Sequence, residues 1–183
     1  IKPEPRPGIM DIELYKGGNS TIEGMSDILK LSSNENPNGP PLRAKQALIE
    51  AGNSLHRYPS SDHLELRQTL AETHELDVSK IICGCGSDEL ISLLCRGYAG
   101  PGVEVIHTSH GFLMYRICAM AVGATVVSVP EKDRYVDTDA ILNAINPSTA
   151  VIFIANPGNP TGTRILDIDI ERLIQHTPKD VLI

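Results

Sequence analysis

Asn156-Pro157-Gly158-Asn159-Pro160-Thr161-Gly162-Thr163 follows without a break on the apolar run Val151 to Ala155. Five apolar residues bounded by turn formers read as a buried strand, so the polar loop is delivered at a strand's carboxyl end. In an open α/β sheet that end is where ligands bind. Pro157 and Pro160 fix their own φ and bias Asn156 and Asn159 toward extended geometry, which leaves Asn159 little of the freedom a loop side chain usually has. A rigid amide there can donate one directed hydrogen bond. Asn, Pro and Gly also dominate ordinary solvated turns, and a lone Asn-Pro would be read as one.

Outward from this loop, short apolar runs alternate with amphipathic segments. The pattern predicts strands at Ile81–Cys83, Val103–His107, Thr125–Val129 and Val151–Ala155, with another beginning at Val181. Helices are predicted over Asp88–Tyr98, Phe112–Val122, Thr138–Ile145 and Ile168–His176. Such alternation, punctuated by Gly and Pro, means a covered, mostly parallel sheet. Nearer the start, Pro41 with Ala44, Ala47, Leu48 and Ala51, and Gly52 beyond, makes a helix with sensible ends. Ser61 or Asp62 can cap a second helix reaching about His74. Residues 1 to about 33 lack periodicity and read as an extended arm.

The 183 residues carry a formal net charge of -7, which leaves no footprint for nucleic acid or an anionic membrane. No apolar run approaches the ~20 residues of a membrane span, and Ile1-Lys2-Pro3-Glu4-Pro5 lacks a signal-peptide core. A cytoplasmic protein with a small-molecule partner is expected. Cys83, Cys85, Cys95 and Cys118 are read as reduced core thiols, since none has metal spacing with a histidine. No metal site is expected, and His56 with His63, and His107 with His110, read as ordinary histidines.

Gly84-Cys85-Gly86-Ser87-Asp88-Glu89-Leu90 follows an apolar run and opens a helix, so backbone N–H groups and the positive end of a helix dipole converge there. This has the form of a phosphate cup. A dinucleotide fingerprint fails at Glu89, and a P-loop fails for want of Gly-Lys-Ser/Thr. Ser87 as a simple cap of an acidic first turn explains the same residues without a ligand. Phe112, at a helix start, can cover the face of a flat heterocycle; it can equally be a core anchor. In the connector Arg57-Tyr58-Pro59 a half-buried Tyr58 would need a partner for its hydroxyl.

The word Asn-Pro-x-Asn-Pro-Thr-Gly resembles the loop of fold-type-I pyridoxal phosphate (PLP) aminotransferases. Asn34-Glu35-Asn36-Pro37-Asn38-Gly39-Pro40, Arg57-Tyr58-Pro59, Gly86-Ser87-Asp88-Glu89-Leu90 and Met114-Tyr115 stand in the order and spacing of the histidinol-phosphate aminotransferase family, from about Tyr15 to the last residue. The resemblance implies an α/β fold, the three-layer, mostly parallel sheet of the large domain. Residues 1–38 would be the N-terminal arm and substrate-entrance loop, and 39–183 an incomplete N-terminal part of the PLP-binding domain.

By the same resemblance, the amides of Gly86, Ser87 and Asp88 bind the cofactor phosphate, Phe112 stacks on the pyridine ring and Asn159 bonds its 3-hydroxyl oxygen. Tyr58 reaches the phosphate in the other subunit of a homodimer, while Tyr15 and Asn36 face substrate. Here Ser109-His110-Gly111-Phe112 departs from the family's Pro-Thr-Tyr/Phe type of turn, so the loop is set differently and His110 can approach the site. No lysine lies in a segment resembling the family's Schiff-base motif, so no catalytic residue is assigned and the chain reads as the N-terminal half of an enzyme. The implied reaction is transamination between histidinol phosphate and 2-oxoglutarate, giving glutamate, in histidine biosynthesis. The alternatives are an enzyme resembling threonine-phosphate decarboxylase and a non-catalytic fragment.

Overall fold

The computed structural model describes residues 3–15, 17–26 and 28–183. Its regular elements are α1 (Leu42–Ala51), α2 (Leu64–His74), α3 (Gly86–Tyr98), β1 (Glu104–Thr108), α4 (Leu113–Ala121), β2 (Thr125–Val129), α5 (Thr138–Ala144), β3 (Thr149–Phe153) and α6 (Asp167–His176). They fall into two compact units, Tyr15–Cys83 on the one hand and Ile1–Leu14 with Gly84–Ile183 on the other.

In the larger unit the sheet order is β2-β1-β3, all parallel. β1 is the centre, with Val105 opposite Val126 and Val151, and Ile106 opposite Val127 and Ile152. A parallel strand covered on both faces needs apolar residues without alternation, and Val105 and Ile106 are both fully buried. Val105, Val151 and Phe153 point into one cluster with Ile91 and Cys95 of α3 and Tyr115, Cys118 and Ala119 of α4. Ile106, Val129 and Ile152 point into a second with Ile141 of α5 and Leu173 of α6. Helices therefore cover both faces, giving three layers. Truncating one such side chain, as in Ile106→Ala, costs roughly 2–5 kcal/mol from lost burial and the cavity left behind.

Local chemistry sets the element ends. The Asp137 carboxylate caps α5 by accepting the amides of Asp139 and Ala140, each at 3.1 Å, while Lys132 Nζ lies 2.6 Å from its other oxygen. The hydrogen bond from Lys132 holds the Asp137 carboxyl below the usual carboxylate range. The run at Val181 adds a short parallel bridge to β3, with Leu182 N donating to Ala150 O and Ile152 N to Leu182 O, both at 2.8 Å. In the N-terminal segment, a single 3-10 turn spans Ile9–Asp11, and Arg6 donates to the carbonyl of Ala121 at the end of α4.

The unit Tyr15–Cys83 holds α1 and α2, and none of its described residues is buried. Asp62 takes the Leu64 amide at the start of α2, and Arg67 donates to Val78 O at 2.7 Å. The strand expected at Ile81–Cys83 does not form. Strands exist through pairing, and no strand lies beside this segment among the described residues, so Ile82 stays 77% exposed. The reading of four core thiols is also corrected: Cys95 and Cys118 are buried, Cys83 is half-buried and Cys85 is exposed, all with free thiols. Among the described residues no helix is long and apolar enough to cross a membrane.

Candidate active site

α3 leads by a short turn into the start of β1, so its N-terminus stands at the carboxyl edge of the sheet. Ser87 lines a cavity of about 320 Å³ together with Phe153 and Ile154, where β3 ends. Gly86 enters the helix at φ 79°, a left-handed conformation that costs a side-chain-bearing residue energy and glycine almost none. The N-cap residue Cys85 offers no side-chain cap to α3, and the first-turn amides of a helix have no acceptors within it. The amides of Ser87 and Asp88 are therefore donors suited to an anion. Gly86 differs from them: its N–H turns back to the Gly84 carbonyl at 2.8 Å, so its contribution in this geometry is the bend. Glu89 folds its carboxylate back onto the Cys85 amide at 2.6 Å.

β1 ends at Thr108, and the turn Ser109–Gly111 leads to Phe112, the N-cap residue of α4. The Thr108 carbonyl accepts two hydrogen bonds, from the Gly111 amide at 2.9 Å and from His107 Nδ1 at 2.8 Å. A Cβ on residue 111 would stand 3.0 Å from that carbonyl oxygen, a crowded contact that favours glycine there. The half-buried Phe112 meets Tyr115 edge to face, with centroids 5.8 Å apart, and Tyr115 stacks on Phe153. Phe112 thus combines packing against the core with a place at the sheet's carboxyl edge.

The loop after β3 is closed by its own chain. Asn156 Oδ1 accepts the Ile165 amide at 2.9 Å, Gly158 N donates to Thr163 O and Gly162 N to Gly158 O, both at 2.8 Å. Thr163 Oγ1 donates to the Arg134 carbonyl at 2.9 Å. Both Asn-Pro peptides are cis. The two asparagines differ in role: Asn156 joins the ends of its loop, and the half-buried Asn159 sits within the closed loop.

Gly86, Ser87, Asp88, Phe112 and Asn159 all stand at this edge of one unit. Tyr15, Asn36 and Tyr58 belong to the other unit. There Tyr58 is fully exposed, Tyr15 is half-exposed, and Asn36 closes a turn by accepting the Asn38 amide at 2.9 Å.

The contacts of three side chains are not legible in the sequence. Tyr115 is the ring between Phe112 and β3. Glu131, only 3% exposed, accepts from the backbone and ring nitrogens of His110 at 3.2 and 2.8 Å. His110 is therefore no ordinary surface histidine, but no spacing rule could find a partner 21 residues away. His107 is buried, and desolvation holds its pKa below the ordinary histidine value against the opposing hydrogen bond to Thr108. Its Nε2 has no partner among the described residues.

The sequence profile of the family described as aminotransferase class I and II matches residues 26–183. Over 179 residues the chain is 55% identical to the histidinol-phosphate aminotransferase of Ruegeria sp. (strain TM1040), covering 98% of this chain and 49% of the relative. It is 54% identical to the protein of that name from Cereibacter sphaeroides (strain ATCC 17029 / ATH 2.4.9), with 98% and 50% covered. The chain thus spans about half the length of the curated relatives it matches. Among solved structures, histidinol-phosphate aminotransferase from Sinorhizobium meliloti, in complex with pyridoxal-5'-phosphate, superimposes with a TM-score of 0.78 at 24% identity, covering 82% of this chain and 41% of that one. At that identity the likeness is one of fold.

Proposed function

Because the chain belongs to the class I and II aminotransferase family, we propose that it carries the phosphate and ring contacts for PLP in an enzyme that transfers an amino group between histidinol phosphate and 2-oxoglutarate. The observation that carries the cofactor assignment is the start of α3, where the N-cap side chain leaves the Ser87 and Asp88 amides uncapped and left-handed Gly86 opens the helix at the carboxyl edge of the sheet. That donor set suits a phosphate dianion, and Phe112 and Asn159 stand at the same edge. Bound PLP supplies an electron sink for the amino group's carbon.

The chain's own residues hold and orient. Ser87 and Asp88 donate their amides to the phosphate, and the Gly86 amide joins them by leaving the Gly84 carbonyl. Phe112 covers one face of the ring and excludes water from it. Asn159 donates its amide N–H to the ring's 3-oxygen and keeps that oxygen in its anionic form. Tyr58 supplies a hydroxyl to the phosphate bound by a second copy, and Tyr15 and Asn36 line the substrate's approach. The choice of histidinol phosphate rests on the 55% identity along 98% of the chain.

The test is an amino-donor panel with the intact protein, read as glutamate formed from 2-oxoglutarate. Histidinol phosphate is expected to exceed every other donor in kcat/KM, and preference for another donor would overturn the assignment. The 183-residue chain alone is expected to show no turnover and no borohydride-stable pyridoxyl label on a defined lysine.

A further inference from the structure

The turn that presents Phe112 is held from outside by one carboxylate. Glu131 follows β2 by two residues, and its side chain is almost completely buried. A carboxylate so removed from water needs N–H donors close by, and among the described residues both of its donors belong to His110, the backbone N–H at 3.2 Å and Nδ1 at 2.8 Å. His110 itself is 55% exposed, so burial of its ring does not explain the contact. Ser109 is tied to the same strand by its amide, which donates to Val129 O at 2.9 Å. On the other side, the Thr108 carbonyl gathers Gly111 N and His107 Nδ1. Residues 108–111 are thus clamped between the ends of β1 and β2, and Phe112 is the next residue.

We propose that Glu131 is a positioning residue for the cofactor ring: by gripping both N–H groups of His110 it fixes the turn that sets where the Phe112 ring stands. The proposal rests on the reading of Phe112 as the ring's cover. Glu131 touches neither cofactor nor substrate in this scheme. Its effect is transmitted through His110 and the two peptide units that follow it.

The test uses the intact apoprotein titrated with PLP, read by the dissociation constant and by the visible circular dichroism of the bound cofactor, with thermal unfolding of the apo form recorded beside them. Phe112→Ala is expected to weaken binding and alter the dichroism. Glu131→Gln keeps the shape but replaces one accepting oxygen by an NH₂ group that faces a donor; it is expected to weaken PLP binding on the order of three- to tenfold and to alter the dichroism in the same sense. His110→Ala, at an exposed ring, is expected to reproduce part of this change with the fold intact, and so serves if the Glu131 variant unfolds. In the Phe112→Ala background, either second substitution should add nothing to the loss. Unchanged affinity and dichroism in both the Glu131 and His110 variants, while Phe112→Ala changes them, would overturn the role of Glu131 alone. Full additivity in the double variants would overturn it as well. No effect of Phe112→Ala would instead overturn the stacking role on which the proposal stands.

Discussion

Tyr115 of α4 lies parallel to Phe153 of β3, with ring centroids 4.8 Å apart and planes 3° from coplanar. The contact joins the helix that Phe112 opens to the strand that leads into the Asn-Pro loop, so Phe112 and that loop share one support. Tyr115→Ala is expected to destabilise the intact protein by roughly 3–5 kcal/mol, the cost of emptying an aromatic site in a packed core. Denaturant unfolding measures it. A loss below about 1 kcal/mol would mean the surroundings close over the gap.

The role given to Tyr58 concerns assembly. A hydroxyl lent to a second copy requires a symmetric dimer, because an isologous interface gives each subunit the same contact. Tyr58→Phe should weaken PLP retention on the order of ten- to a hundredfold with the dimer unchanged by sedimentation. Mixing this variant with Ser87→Pro, which removes one of the amides offered to the phosphate, should restore part of the activity, since each heterodimer keeps one site with both contacts. Tight PLP binding by a demonstrated monomer would exclude the role.

Thiol chemistry separates the cysteines. Burial, reinforced by the neighbouring Cys118, pushes the Cys95 thiol up to about 11, so that at pH 8 about one molecule in a thousand holds it as thiolate, the reactive form. Exposed Cys85 should be labelled first by a disulfide reagent and Cys95 last, with all four equalised in denaturant. Mass spectrometry of timed samples gives the order.

His107 predicts a pH dependence with a definite sign. In the unfolded chain it takes up a proton near its ordinary pKa of about 6.5, whereas burial keeps it neutral in the fold to lower pH. Below about 6.5 the unfolded state therefore binds more protons, and stability rises with pH through that window, by at most about 1.4 kcal/mol per pH unit from this group. The contribution is fully present above the ordinary pKa and is lost as pH falls beneath it. His107→Gln should flatten that part of the profile in the intact protein. An identical slope in the variant would assign the dependence to other groups.

Much of this structure is legible in the residues. β2 lies where its apolar run lies, and α3, α5 and α6 begin within two residues of their sequence bounds. β3 starts at Thr149, two residues before its apolar run, because ladder hydrogen bonds are made by backbone whatever the side chain. Ile81–Cys83 has the composition of a strand without a neighbour to pair with, and pairing is a property no single segment contains. The glycine-rich helix start is visible as a motif, yet only the fold shows that the Gly86 amide is turned to Gly84. The Glu131–His110 contact was beyond reading for a plainer reason. Hydrogen bonds between distant loops follow from tertiary structure and leave no period or spacing in the chain.

The strand order β2-β1-β3 has a consequence for synthesis on the ribosome. β1 is made first and yet ends in the middle, while Thr125 and Thr149, which open its two neighbours, lie 21 and 45 residues further on. At ~5–20 residues per second, both edges of the nascent β1 wait about one to four seconds for the first partner and longer for the second. During that interval α4 can already shelter the Val105 face, but the Ile106 face has no cover until α5 and α6 arrive. The newborn chain therefore passes through a stage in which its central strand offers an open edge to any other chain nearby, which makes translation speed across residues 109–149 a determinant of yield.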